Sequence, residues 1–166
     1  MALIDLKNAT ILIKDGTAPS LTLEIKIGEG NLQWTERITR EYRKDRGNLS
    51  TVRNGDEEPM DVSFDFEWEY LKGSATSGAA PTIEEALKQI GNASAWVSTD
   101  ADLCTPYAVD LEITNEPTAA CGDKEVITLA DFRWEEFSHD LRGATVSCSG
   151  KCNVTSASIV RSVQSA

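Results

Sequence analysis

The sequence predicts a mainly β chain: a β-sandwich or half-barrel of about seven or eight antiparallel strands with one short flanking α-helix. Two observations carry this. Apolar and polar residues alternate through several separate runs, the period of a half-buried strand. One segment, 82–91, has helical spacing behind a capping sequence instead. A sheet of that size must curl or stack to bury its apolar side.

The elements follow in order. Residues 10–14 form a short β-like run that ends at the turn signal Asp15-Gly16. Leu21, Leu23, Ile25 and Ile27 alternate with Thr22, Glu24 and Lys26. After Gly28-Glu-Gly-Asn, the residues Leu32, Trp34, Glu36, Ile38, Arg40 and Tyr42 share one strand parity. Two runs joined by a short Gly-rich link predict a hairpin. Residues 45–59, with Gly47, Asn48, Asn54 and Gly55, read as a long loop or arm.

Residues 60–70 are the sharpest run. Met60, Val62, Phe64, Phe66, Trp68 and Tyr70 alternate with Asp61, Ser63, Asp65, Glu67 and Glu69. Successive side chains of a strand point to opposite faces, so one face is aromatic and the other acidic. The acidic face is either an ordinary solvated surface or one shaped to meet something negative.

Residues 73–81 have the composition of a flexible linker. In 82–91, Thr82 and Glu85 form a capping box, and Ile83, Ala86, Leu87 and Ile90 fall at helical spacing before Gly91. A helix this short must pack on the sheet to persist. Tyr107, Val109, Leu111 and Ile113 then alternate with polar residues. In 125–137 the apolar parity changes between Leu129 and Phe132, which predicts a β-bulge near Ala130. Runs 144–149 and 153–163 read as two closing strands around a turn at Ser149-Gly-Lys.

The 166 residues suffice for one domain, 1–166, with its own core. The formal net charge of −11 argues against a protein that grips nucleic acid, because such grip rests on Lys and Arg neutralising phosphates. The charge is also segregated. Residues 36–53 hold six bases (Arg37, Arg40, Arg43, Lys44, Arg46, Arg53) against three acids, whereas 54–70 hold seven acids and no base. The segment 45–59 is therefore a solvated loop or an arm whose basic patch meets an acidic patch on a neighbouring copy. No apolar run is long enough to span a bilayer, and the N-terminus lacks the basic and apolar blocks of a secretory signal, so cytosolic synthesis without membrane insertion is expected.

Chemistry has few footholds. Cys148 and Cys152 have the spacing of half a zinc site, but Cys104 and Cys121 are separated by sixteen residues and form no second knuckle. Zinc on these four, disulfides pairing 104 with 121 and 148 with 152, and free thiols all stay open. Asp65, Glu67 and Glu69 are spaced about 7 Å apart along one face. That suits a glycosidase pair, but nothing supplies the apolar pocket. Asn54-Gly-Asp-Glu-Glu is a weak calcium loop. With one histidine, His139, and no nucleophile or phosphate-loop motif, no catalytic residue and no cofactor are expected.

The run 45–69, from Asp45-Arg-Gly-Asn to Phe66-Glu-Trp-Glu, resembles the tail tube (major tail) proteins of long-tailed, siphovirus-type bacteriophages. Cys104-Thr-Pro-Tyr-Ala-Val-Asp-Leu, Cys121-Gly-Asp and Asp131-Phe-Arg-Trp fit the same pattern, as does the order of elements. The resemblance covers nearly the whole chain. It implies a β-sandwich or half-barrel flanked by a helix, and a structural virion protein without enzymatic activity. Six copies would form a ring, and rings would stack into a hollow tail tube around a tape-measure protein. The tube would join terminator and distal tail proteins and be assembled in the host cytoplasm. DNA would pass through the lumen without specific binding. Some relatives carry a further C-terminal domain, and none is expected here.

Against that expectation, Asp61, Asp65, Glu67 and Glu69 become the candidate lumen lining, since an acidic wall repels DNA and keeps it moving. Arg37, Arg40, Arg43, Lys44, Arg46 and Arg53 become the candidate contact between subunits or rings. The contrasting reading is a monomeric β-sandwich module that binds a sugar or metal, with Trp34, Trp96 and Trp134 as its loose aromatic candidates. A third is another tube component of a phage-like injection machine.

Overall fold

The computed structural model describes residues 6–26, 31–68, 79–118 and 122–163. The strands are β1 (Ala9–Lys14), β2 (Thr22–Glu24), β3 (Gln33–Thr35), β4 (Ile38–Asp45), β5 (Asn48–Glu57), β6 (Met60–Glu67), β7 (Val109–Asn115), β8 (Lys124–Asp140), β9 (Thr145–Cys152) and β10 (Ser158–Ser162). The helix α1 (Ile83–Lys88) lies between β6 and β7. Eight strands make one sheet in the order β2-β1-β7-β8-β9-β6-β3, with β10 also on β8; β4 and β5 pair only with each other. Every pairing is antiparallel. This is the mainly β, half-barrel class, with a single short α-helix among the described residues.

The curl of the sheet follows from its inward side chains. β6 alternates buried and exposed along its length, with Met60, Val62, Phe64 and Phe66 all turned inward. They meet Val146, Cys148 and Cys152 of β9, Phe132 and Leu129 of β8, Leu111 of β7 and Ile13 of β1 in one core. Each large side chain so buried contributes about 1.5–3 kcal/mol of transfer free energy. The two margins of the sheet then approach each other: the N–H of Glu67 donates to the carbonyl of Lys26 at 3.1 Å. That bond joins the end of β6 to the chain leaving β2 and leaves a barrel only partly open.

Helix α1 covers the inner side. Its capping box is complete, with Thr82 and Glu85 satisfying each other's backbone N–H groups. Ala86 and Leu87 are buried, the Tyr107 hydroxyl donates to the Ala86 carbonyl at 2.9 Å, and the Lys88 ammonium lies 4.6 Å from the Phe137 ring centroid. The helix stops at Gln89, which takes a left-handed conformation, so Ile90 is exposed rather than on the buried stripe.

The expected bulge, like the capping box, holds in detail. Val109 faces Phe132 while Leu111 faces Leu129, so β8 has one residue more than β7 over that span. Asp131 sits there with a φ of 53°, its N–H bonded to Asp110 Oδ1 at 2.9 Å. Four other expectations are corrected. The expected hairpin of 21–27 with 32–42 does not form, because β2 pairs with β1 and β3 with β6 at opposite margins of the sheet. The second of those runs is also broken at Glu36-Arg37 into β3 and β4. The segment 45–59, read as a loop, is mostly β5, and its only turn is Arg46-Gly47. Finally, Ser149-Gly150-Lys151 is no turn but the interior of β9; the glycine is needed because β8 approaches there, and the chain turns at 153–157 instead. Residues 73–78 of the expected linker lie outside the described residues, as do Ile27, Glu69, Tyr70 and Cys121.

Candidate assembly surfaces

The acidic face of β6 is turned outward as its alternation requires, and its neighbours temper its charge. β9 and β8 continue the same outward rows: Asp61 lies beside Lys151 and Arg133, Asp65 beside Ser147 and Ser138, Glu67 beside Thr145 and Asp140. Arg37, in the link between β3 and β4, bonds Asp61, and Lys151 Nζ is 3.9 Å from the other oxygen of that carboxylate. Asn31 bonds Asp65 through its side-chain amide, and its Oδ1 accepts the Asp65 N–H at 2.9 Å. Glu67 is exposed. Of the four expected lining residues, three therefore share one outward wall, and Glu69 lies outside the described residues. Serine and threonine make up much of that wall, a feature that the charges of β6 alone did not disclose.

The basic residues converge on one structure, the β4–β5 hairpin and its root. The hairpin leaves the sheet at the Met60 end of β6, since β3 runs antiparallel to β6 from Ser63 towards Asp61 and continues into β4. None of its residues is buried. Arg37 at the root is engaged with Asp61, and Arg53 pairs with Glu41 across the strands. No ion pair among the described residues engages Arg40, Arg43, Lys44 or Arg46. The register also places apolar side chains that charge counting missed. Tyr42 faces Val52 and Lys44 faces Leu49, and Tyr42, Val52 and Leu49 are 63, 53 and 73% exposed. Ile38 is exposed as well. Ile38 and Tyr42 share a strand parity in the sequence; Leu49 and Val52 join them only once a bulge between Arg43 and Lys44 is known.

The cysteines do not assemble a metal centre as placed. Cys148 and Cys152 point into the core from one strand, four residues and about 13 Å apart, too far to share an ion or a disulfide. Burial pushes both thiols up to about 12. Cys104 is exposed in a separate loop, and Cys121 lies outside the described residues. The zinc and 148–152 disulfide readings are thereby corrected: on a continuous strand the spacing that suits a knuckle spreads the sulfurs apart.

The remaining polar groups are fastened into the fold. Burial raises the pKa of the Asp110 carboxyl from its ordinary value. Asp100, held low first by the Asp102 N–H and then by Arg133, pairs with that guanidinium at 2.7 Å. The three candidate tryptophans are also placed: Trp96 is in the core, Trp34 packs against it, and Trp134 has Lys88 over its ring. Among the described residues no helix is long and apolar enough to cross a membrane.

No protein-family model and no curated protein sequence matches this chain. Solved structures do share its fold. A chain of the PVC sheath/tube terminator of an extracellular contractile injection system, solved by cryo-EM in the extended state, aligns with a TM-score of 0.54 at 10% identity, over 96% of this chain and 98% of that one. A chain of the anti-feeding prophage cap (AFP tube terminating cap) aligns with a TM-score of 0.53 at 10% identity, over 98% of this chain and 93% of that one. These likenesses extend over nearly the full length of both partners.

Proposed function

We propose that this protein is a non-enzymatic structural subunit of the tube of a phage tail or a phage-tail-like injection machine. The observation that carries the reading is the β4–β5 hairpin, a ribbon of apolar and charged side chains, five bases and four acids, with no buried residue. Isolated two-stranded ribbons are marginal in water, so a partner must cover this one in use. The fold shared with chains of the PVC sheath/tube terminator and the AFP tube terminating cap supports a tube-related partner.

In this reading copies form rings of six, the rings stack, and the outward wall of β6, β9 and β8 lines the lumen. Asp61, Asp65, Glu67 and Glu69 contribute its acidic side. The basic hairpin residues Arg37, Arg40, Arg43, Lys44, Arg46 and Arg53 contact a neighbouring subunit or ring. Phage DNA, or the cargo of an injection machine, passes without being held, and tape-measure and terminator proteins bound the tube. Co-purification with a sheath protein distinguishes a contractile machine from a siphovirus-type tail.

Purified protein is expected to form rings or filaments by size exclusion and negative-stain microscopy. Combined reversal of Arg43, Lys44 and Arg46 to Glu shortens or abolishes the tubes while leaving the subunit folded. A wild-type protein that stays monomeric under all assembly conditions overturns the proposal. Normal-length tubes from the reversed variant remove the hairpin's role.

A further inference from the structure

Helix α1 is tied to the sheet in three ways. Ala86 and Leu87 are seated in the core, and the Lys88 ammonium lies over the Phe137 and Trp134 rings at 4.6 and 5.4 Å. The third tie is Glu84, whose Oε2 is 3.2 Å from Nε2 of His139, the chain's single histidine. His139 stands on the inner face of β8, registered with buried Val146, and its ring meets those of Phe137 and Trp68 at centroid distances of 6.2 and 5.2 Å. Thr82, Ile83 and Glu84 also wall a cavity of about 80 Å³ with Leu23, Phe66 and Trp68, beside the seam where Glu67 bonds Lys26.

Few charges face the imidazole. Glu84 also bonds the Lys88 ammonium, and Glu85 is turned back onto the Thr82 N–H. Ser138 and Asp140 point to the opposite face, registered with Ser147 and Thr145. Glu24 and Glu67 border the cavity and are exposed. Burial alone would raise the Glu84 carboxyl, but hydrogen bonds from Lys88 and His139 outweigh it and hold it below 4.5. Glu84 therefore stays charged where a histidine ordinarily changes its charge, between about pH 5 and 8.

We propose that His139 and Glu84 form a proton-operated latch: protonated His139 draws helix α1 onto β8 and closes it over the cavity at the seam, and neutral His139 lets it loosen. The neutral imidazole offers Glu84 a plain hydrogen bond. The imidazolium, its proton taken from solvent, offers a charge-assisted one, and the rings of Trp68 and Phe137 favour the cation. Lys88 limits the gain, because its charge already matches that of Glu84. The contribution is present in acid and fades as the imidazole returns its proton.

The latch belongs to the single subunit and goes beyond the tube reading, so its test needs no assembly. The Ala86 N–H donates to the Thr82 carbonyl and the Ile90 N–H to the Glu85 carbonyl, so their hydrogen exchange reports the seating of the helix. Protection factors, corrected for intrinsic exchange, are measured by NMR at about pH 5.5 and about pH 8, on either side of the imidazole's charge change. Protection of both amides is expected to fall about two- to fivefold at the higher pH, the scale of a solvent-accessible ion pair. His139→Gln keeps a neutral donor that does not titrate, and its helix is expected to hold the wild type's higher-pH protection throughout. The imidazole 15N shifts of the wild type give a second reading: at the higher pH the hydrogen is expected on Nε2, the tautomer that donates to Glu84. Wild-type protection that is flat or rises with pH, a fall that His139→Gln shares, or an Nδ1–H tautomer each overturns the latch.

Discussion

At Gly150 a Cβ would lie 2.0 Å from the carbonyl oxygen of Arg133, because β9 runs against the bulge that β8 makes between Trp134 and Glu136. A backbone oxygen cannot swing aside as a side chain can, so Gly150→Ala must force β8 and β9 away from each other. A loss of about 1–3 kcal/mol is expected in denaturant unfolding. Gly122→Ala, whose Cβ meets nothing closer than 3.5 Å, is the near-neutral control. Asp15 makes the opposite kind of demand. It is 2% exposed, and its carboxylate accepts the backbone N–H groups of Leu21 (2.7 Å), Thr17 and Val97 (both 3.2 Å) and the Thr17 hydroxyl. Burial alone would raise its pKa, but these bonds outweigh burial and hold it below 3.8. A depressed folded value stabilises the fold above the ordinary value, and that stabilisation is lost as pH falls through the folded one. Asp15→Asn sets a donor against the Val97 N–H. It is expected to cost about 1–3 kcal/mol at neutral pH and to flatten the loss of stability below pH 3.8, read from unfolding curves across that range. An acid profile unchanged by the substitution would show that Asp15 does not set it.

Short elements depend on what caps and covers them. Helix α1 has six residues, too few to hold without the Thr82–Glu85 box and the sheet beneath it. Thr82→Ala is expected to lose about 1 kcal/mol of stability, measured by thermal unfolding, with the Lys88 contact to Phe137 weakened alongside. A fully retained melting temperature would place the helix's stability in its packing alone. The helix was legible because its signal is local: a threonine cap, a glutamate three residues on, and apolar residues on one stripe. The bulge in β8 was legible for a similar reason, since a buried strand cannot change apolar parity without an extra residue. The β4–β5 hairpin was not. A ribbon solvated on both faces gives periodicity nothing to register, and its glycine and asparagine content reads as loop. The mistaken pairing of β2 with β3 has a different cause. Their partners, β1 and β6, are set by core packing at long range, which a Gly-rich link between neighbours cannot outweigh. Gly150 likewise was read through its freedom to turn, when its absent side chain was the property in use.

Across the whole molecule, the wall of β6, β9 and β8 has a charge gradient that sequence order hides. Asp61 was legible as an acid facing outward, but Arg37 and Lys151 reach it from a different link and a different strand. Asp61 is thus compensated at the Met60 end, while exposed Glu136 midway and Glu67 and Asp140 at the other end leave the rest of the wall acidic. The serines between them add hydroxyls that a passing chain can hydrogen-bond weakly, without the fixed cations that would hold phosphate. If this wall lines a lumen, its accessibility depends on the size of the probe and not on the subunit fold. Ser147 is exposed midway along it, registered with Asp65 on one side and Ser138 on the other. In the Ser147→Cys variant, N-ethylmaleimide is expected to label residue 147 in both free subunits and tubes. A maleimide carried on a polymer wider than the lumen should label only the subunits. The exposed native thiol of Cys104, followed by peptide mapping in the same sample, reports reagent quality. Equal labelling of residue 147 by both reagents in intact tubes would turn this wall outward, and protection from both would bury it between subunits. Only protection from the large reagent alone fits a lumen.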